Sequence, residues 1–198
     1  MLDRTAAFLD RLLAYMDTGS HWLARAGGVL ILATVALVIV EILSRQLLGR
    51  STAAATELSG YVLAISASWA FAYSLFRKAH IRIDVVYMQM PLTVRAVLDA
   101  VALATLGLFC VLVVGAAADV AWSSFAGGSR ANTPLATPLW IPQGLWAVGL
   151  AWFAAAVTVL LLRVIVALVA ADPRSVQRVA GSATLEEQTA APTGEEDQ

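Results

Sequence analysis

ANTPLATPLWIPQGLWAVGLAWFAAAVTVLLL, residues 131–162, contains no Asp, Glu, Lys or Arg over 32 positions, and its strongly apolar part begins at Leu139. A bilayer hydrocarbon core of ~30 Å is crossed by ~20 apolar residues in an α-helix, so this stretch is long enough to span. Three others repeat the pattern. AGGVLILATVALVIV, residues 26–40, is uncharged and continues apolar past Glu41 to Leu43. Residues 58–76 and 100–118 are each uncharged for 19 positions. In lipid the backbone must satisfy its own hydrogen bonds, and these runs lack the alternation and turn punctuation of a membrane β-barrel. The sequence therefore predicts an all-α membrane protein with four transmembrane helices, near 22–45, 57–77, 94–120 and 139–170.

Composition agrees. Hydrophobic residues make up 60 % of the 198 and charged residues 14 %, against ~25 % charged in an ordinary soluble domain. This excludes a soluble α/β enzyme, a nucleic-acid binder with a basic face and a disordered regulator. A single cysteine, Cys110, excludes a disulfide framework and a Cys-based metal site within one chain. The net charge of -1 is unevenly placed: residues 1–180 sum to +4, while the stretch from Glu186 to Asp197 holds five acids and no base.

The connections carry the topology. Arg4, Arg11 and Arg25 precede the first span, Arg77, Lys78, Arg82 and Arg95 lie around the second connection, and Arg163, Arg174 and Arg178 lie toward the C-terminus. Only Arg45, Arg50 and Arg130 fall on the other side. The positive-inside rule then places both termini in the cytoplasm. Trp122, Trp140 and Trp146 flank the third connection and Trp22 the entry of the first span, as aromatic belts do. With 24 residues before it and no small-residue cleavage site after it, the first span is not a cleaved signal peptide.

Residues 1–24 show a seven-residue pattern: Leu2, Leu9, Met16 and Leu23 share it, as do Phe8, Tyr15 and Trp22. With Leu12 and Leu13 they form one apolar face opposite the charges. This reads as an amphipathic helix at the cytoplasmic interface or packed on a partner, with a short coiled coil or a solvated helix as the plainer reading. Residues 25–171 form the four-helix domain. Residues 172–198, rich in Ala, Thr, Ser, Glu and Gln without an apolar period, read as a disordered acidic tail.

Charges at membrane depth are functional candidates. Glu41 and Arg45, at i and i+4, suit a helical ion pair or a snorkelling pair at the outer interface. Glu57 opens the second helix, where a negative charge suits the helix N-terminus; a structural cap explains it as well as a functional acid does. Asp119 is expected to reach outer-face water. Arg163 is expected to extend its stem to the cytoplasmic headgroups. The second connection, RKAHIRIDVVYMQMP at residues 77–91, reads as an extended turn in which Asp84 caps a short interfacial helix and Pro91 suits a first helical turn. His80 with Asp84 is not a metal site by itself. Two histidines, both near the cytoplasmic interface, argue against a bis-His haem. The segment TPLATPLWIPQGLW, residues 133–146, is a rigid lead into the fourth helix, with Pro142 in its first turn.

Two stretches together resemble a known family. The first is Glu57-Leu58-Ser59-Gly60-Tyr61, then Trp69, then Arg77-Lys78-Ala79-His80-Ile81-Arg82-Ile83-Asp84; the second is Thr137-Pro138-Leu139-Trp140-Ile141-Pro142-Gln143. With Arg45 before the first connection, they resemble the small membrane subunit of tripartite ATP-independent periplasmic (TRAP) transporters, the DctQ type, over roughly residues 25–170. The resemblance implies a chain of the bacterial inner membrane that is no enzyme and carries no cofactor. It implies a large membrane subunit that binds substrate and sodium and moves them by an elevator-type motion. It also implies a periplasmic binding protein that delivers an organic acid such as a dicarboxylate, keto acid or sugar acid. The small subunit would brace the large one and help form the docking surface.

On this reading Glu41, Arg45, Glu57, Trp69, His80, Arg82, Asp84, Trp140 and Pro142 are structural or interface residues. Arg45 and Glu57 would steer the binding protein or pair with the large subunit. His80, Arg82 and Asp84 would order the cytoplasmic connection, and Trp140 and Pro142 would set the outer entry to the fourth helix. The small residues Ala64, Ser66, Ala67, Ser68 and Ala70 suit close packing of the second helix. The competing reading is an autonomous four-helix proton antiporter of the small multidrug type, working through Glu41. A membrane anchor for a redox enzyme is a third.

Overall fold

The computed structural model describes residues 2–49, 54–78, 87 and 89–180. They form five α-helices: α1 (Leu2–Leu48), α2 (Ala54–Phe76), α3 (Leu92–Ala126), α4 (Trp140–Val169) and α5 (Pro173–Ala180). The first four are long and apolar enough to cross a membrane. α1 and α3 run away from the end that carries the described termini, and α2 and α4 return. That end is called the near end below, and the opposite one the far end.

The amphipathic N-terminal segment and the first span are one helix of 47 residues. At 1.5 Å per residue it is ~70 Å long, about twice a hydrocarbon core. No proline interrupts it. It stops where Gly49 takes a positive φ of 64°, a conformation glycine adopts without a Cβ penalty. α3 ends the same way: Gly128 takes φ 61°, and Ser129 N donates back to Ser124 O at 2.9 Å. α4 closes with Asp172 N donating to Ala167 O at 3.0 Å.

The sequence reading took the chain from residue 172 as disordered. The structure instead places α5 there. Asp172 Oδ1 accepts from Ser175 N at 3.1 Å, which caps the helix, and Pro173 occupies its first position, where the missing N–H costs nothing. Val176 is fully buried in the core. Residues 181–198 lie outside the described residues.

α4 is the centre of the bundle: α1, α2, α3 and α5 all pack on it, while α1 and α2 also pack on each other. The core joins Ala156, Val157, Leu160 and Val164 of α4 to Ala72 and Leu75 of α2, Leu103 and Cys110 of α3 and Met16 of α1. Small residues mark the tight seams. A Cβ on Gly27 would stand 3.2 Å from Ser66 Cα, and one on Gly149 only 2.5 Å from Ser68 Oγ and Trp69 Cδ1. Ser66 Oγ crosses the α1–α2 seam to Gly27 O at 3.0 Å. Of the small residues expected to pack α2, Ser66 and Ser68 are therefore in seams, whereas Ala64 and Ala67 face outward.

The contacts also set the helices' relative heights. Asp17 meets Arg77 near the end of α2, and Ser20 meets Trp152. α1 therefore continues past the end of α2 for 15 residues at the near end, alongside the last turns of α4. Its two heptad ladders separate there. Leu9 and Met16 are buried against the bundle, while Phe8, Tyr15 and Trp22 are 65 %, 78 % and 65 % exposed.

Candidate functional site

At the far end, Glu57 in the first turn of α2 is the organising side chain. Tyr61 Oη, one turn on, donates to Glu57 Oε1 at 3.0 Å, and Thr133 Oγ1, 76 residues away, donates to Glu57 Oε2. The acid thus ties the α3–α4 connection onto the start of α2. That connection is itself ordered by backbone bonds, Ala131 N to Thr137 O at 2.9 Å and Leu139 N to Ser129 O at 3.1 Å. They form an isolated bridge between Arg130 and Pro138.

Glu41 and Arg45 line a pocket of about 360 Å³ with Ala55, Thr56 and Ser59 of α2. Arg45 is exposed. Trp140 is exposed and stands edge-on to Phe125, ring centroids 5.6 Å apart, and Phe125 continues to Trp122 at 5.8 Å. Pro142 is buried in the first turn of α4. Glu41, Arg45, Glu57, Trp140 and Pro142 therefore all belong to the far end. Trp69 does not. Its indole Nε1 donates to Leu145 O at 3.1 Å, stapling α2 to α4 within the span. His80, Arg82 and Asp84 lie outside the described residues.

The near end carries a polar cluster that sequence reasoning missed. Arg163, expected among the headgroups, is 8 % exposed. Its Nε donates to Asp10 Oδ1 at 2.7 Å and its Nη2 to Ser175 Oγ at 3.3 Å. One guanidinium thereby joins α4, the N-terminal part of α1 and α5. Beside it, buried Asp99 of α3 accepts from Tyr87 Oη at 2.7 Å and from Gln177 Nε2 of α5 at 2.9 Å. Arg77, under which Tyr73 lies at 5.2 Å, pairs with Asp17 at 3.7 Å. The usable sequence signal was Asp10 and Asp17 repeating seven apart on one flank of α1, and Asp172-Pro173 as a helix start.

Between these two ends the spans hold no acid or base: residues 58–76, 100–118 and 140–162 contain none, nor does 26–40. Transport sites built within a membrane place ionisable groups near the midplane. The arrangement is that of a polytopic membrane protein whose charged side chains cluster toward the span ends. The chain matches the family described as tripartite ATP-independent periplasmic transporters, DctQ component, over residues 34–168, more than half its length. It belongs to that family: a multi-pass membrane protein and a TRAP transporter small permease component, in a family of transporter components and not of enzymes. No curated protein and no solved structure matches the chain. The antiporter reading gains no support, and Glu41 shares its pocket with Arg45 near the end of α1.

Proposed function

We propose that this chain is the non-transporting small permease of a sodium-coupled TRAP transporter for an organic acid, a dicarboxylate, keto acid or sugar acid. It braces the large membrane subunit, which binds substrate and sodium, and it contributes to the surface on which the periplasmic binding protein docks. It works without a cofactor of its own, in the bacterial inner membrane, with both termini cytoplasmic. The near end is then the cytoplasmic end, and the N-terminal half of α1 lies at that interface.

The observation that carries the reading is the far-end tie from Glu57 to Thr133. It holds the α3–α4 connection, Arg130 included, as a fixed polar platform. A brace needs such rigidity at the face where another protein lands, and it needs no polar path through the bilayer. The positive-inside count supports the orientation. Arg45 and Glu57 are the far-end charges offered to the binding protein or the large subunit, and Trp140 and Pro142 fix where α4 enters.

Purification from native membranes in mild detergent tests the reading. A stoichiometric multi-span partner is expected to co-elute. Charge reversal, Arg45→Glu or Glu57→Lys, is expected to lower uptake of the transported acid at least several-fold. Recovery of a self-associated oligomer without a partner overturns the proposal, as does unchanged uptake and assembly in both variants.

A further inference from the structure

The N-terminal half of α1 alternates basic and aromatic side chains. Arg4, Phe8, Arg11, Tyr15, Trp22 and Arg25 follow one another at helical steps of three and four residues, with Thr18 between Tyr15 and Trp22. They therefore share one face, and all of them are exposed. The Arg25 guanidinium lies over the Trp22 ring, 5.5 Å from its centroid. The acids of the same segment point elsewhere. Asp10 pairs with Arg163 at 2.7 Å and Asp17 with Arg77 at 3.7 Å, and Asp3 lines a pocket with Arg163 and Ser175. Among the described residues no ion pair holds Arg4 or Arg11. The bundle thus takes up the acids of the arm and leaves outside a face of three positive charges and three rings.

The chain itself holds the complementary charge, and the fold brings it to this end. Ser175 Oγ of α5 accepts from Arg163 Nη2, and Arg163 Nε donates to Asp10, the neighbour of Arg11. α5 ends at Ala180, five residues past Ser175, or ~7.5 Å along its axis. Residues 181–198 follow, with Glu186, Glu187, Glu195, Glu196 and Asp197 and no base. A chain advances at most ~3.3–3.6 Å per residue. Glu187 can therefore stand up to ~25 Å from Ala180, and Glu196 up to ~55 Å. Arg4 and Arg11 are only ~10 Å apart along α1, so both acid groups come within range of both arginines. Attachment to the same chain gives these acids an effective concentration on the order of millimolar at the arm, which a free acidic partner has to exceed.

Anionic lipid headgroups are the competing source of negative charge, and distance disfavours them. Arg4 lies 18 residues before Trp22, the ring expected at the membrane interface, which is ~27 Å along α1. In a helix inclined at 45° Arg4 still stands about 19 Å from that level, beyond two Debye lengths of ~8 Å at 0.15 M salt. A lipid charge level with Trp22 is screened there. We propose that residues 186–197 dock on the basic and aromatic face of α1, their carboxylates on Arg4 and Arg11 beside Phe8 and Tyr15, and form an intramolecular latch at the near end. Exposed ion pairs are individually weak, so the latch needs several of them together and opens as salt rises. It goes beyond the bracing role and does not rest on it.

The test uses the full chain, with whatever partner co-purifies, in native membranes. A photoreactive side chain replaces Tyr15, which is 78 % exposed, and the adduct is identified by mass spectrometry after digestion. An adduct to a peptide from residues 181–198 of the same chain is expected. Neutralising the five acids, Glu→Gln at 186, 187, 195 and 196 with Asp197→Asn, is expected to lower its yield about tenfold, which two or three exposed ion pairs supply together. Salt at 1 M, where the Debye length is ~3 Å, is expected to do the same. Arg4→Glu with Arg11→Glu is expected to abolish the adduct, and replacing the five acids by Lys in that background to restore it, which a misfolded arm would not allow. A yield indifferent to neutralisation of the five acids overturns the proposal. So does an adduct of lipid mass, or one to another chain, a second copy included, in place of the intramolecular one.

Discussion

Gly149 is the most tightly enclosed of the described glycines. A Cβ there would stand 2.5 Å from Ser68 Oγ and Trp69 Cδ1 and 3.0 Å from the Ser68 backbone carbon. The indole cannot swing aside, because Trp69 Nε1 is held by Leu145 O, and Ser68 is buried in the seam. Gly149→Ala is therefore expected to force α2 and α4 apart, at about 1–3 kcal/mol for overpacking. Gly144 sits on the same helix with nothing within 4 Å of its would-be Cβ. Gly144→Ala is expected to gain about 0.5–1 kcal/mol of helix propensity. Each kcal/mol moves the melting temperature of a chain this size by about 2–4 °C. A thermal scan in detergent should thus show opposite shifts for the two substitutions. Shifts of one sign would show that the seam is looser than this geometry.

Elements with a long repetitive signal were legible, and elements defined by partners far away in sequence were not. The four spans follow from solvent alone: residues 58–76 or 100–118 have no stable place except in lipid as helices. Glu57 was legible as a helix-start acid, but its bond to Thr133 needs a fold that joins positions 76 residues apart. Arg163 was misjudged for the same reason, since Asp10 is 153 residues away. α5 was missed because eight residues are too few to show a period, although Asp172-Pro173 marks a capped start. That short helix is the clamp of the near end, with Ser175 on Arg163 and Gln177 on Asp99. Asp172→Ala is expected to remove a cap of about 0.5–2 kcal/mol and to raise amide exchange in residues 173–180 selectively. Uniform exchange across the chain, or none, would count against the clamp. The Asp10–Arg163 pair is half-open, with side chains 51 % and 10 % exposed, so solvent screens it. A double-mutant cycle with Asp10→Asn and Arg163→Gln is expected to give a coupling of about 1 kcal/mol, and a coupling of zero would leave packing alone to hold the N-terminal part of α1.

At the scale of the whole molecule, the apolar bands of the helices are not level with one another. Ser20 faces Trp152, so residues 26–40 of the antiparallel α1 run beside the start of α4 and the connection before it. Gly107 faces Val157 and Phe125 faces Trp140, so residues 100–118 of α3 run beside the later part of α4. The midpoints of the two bands are offset by roughly 24 Å along the bundle at 1.5 Å per residue. Two helix–helix spacings of 8–10 Å put α1 and α3 about 16–20 Å apart. A flat hydrocarbon slab covers both bands only if the helices cross it at about 45° or more, beyond the ~20° average tilt. In that frame α1 advances about 1.1 Å along the membrane normal per residue, so roughly its first 18 residues lie beyond the slab at the near end, which accounts for one continuous helix serving as both span and amphipathic arm. Val35 on α1 and Leu108 on α3 are 50 % and 64 % exposed and discriminate the two frames. Spin labels at these sites, in a Cys110→Ala background, are expected to report the same mid-bilayer depth from oxygen and nickel-chelate accessibility. In an upright bundle the two labels would instead differ in depth by most of a membrane's thickness, because residue 35 stands level with the α3–α4 connection while residue 108 stands level with the middle of α4.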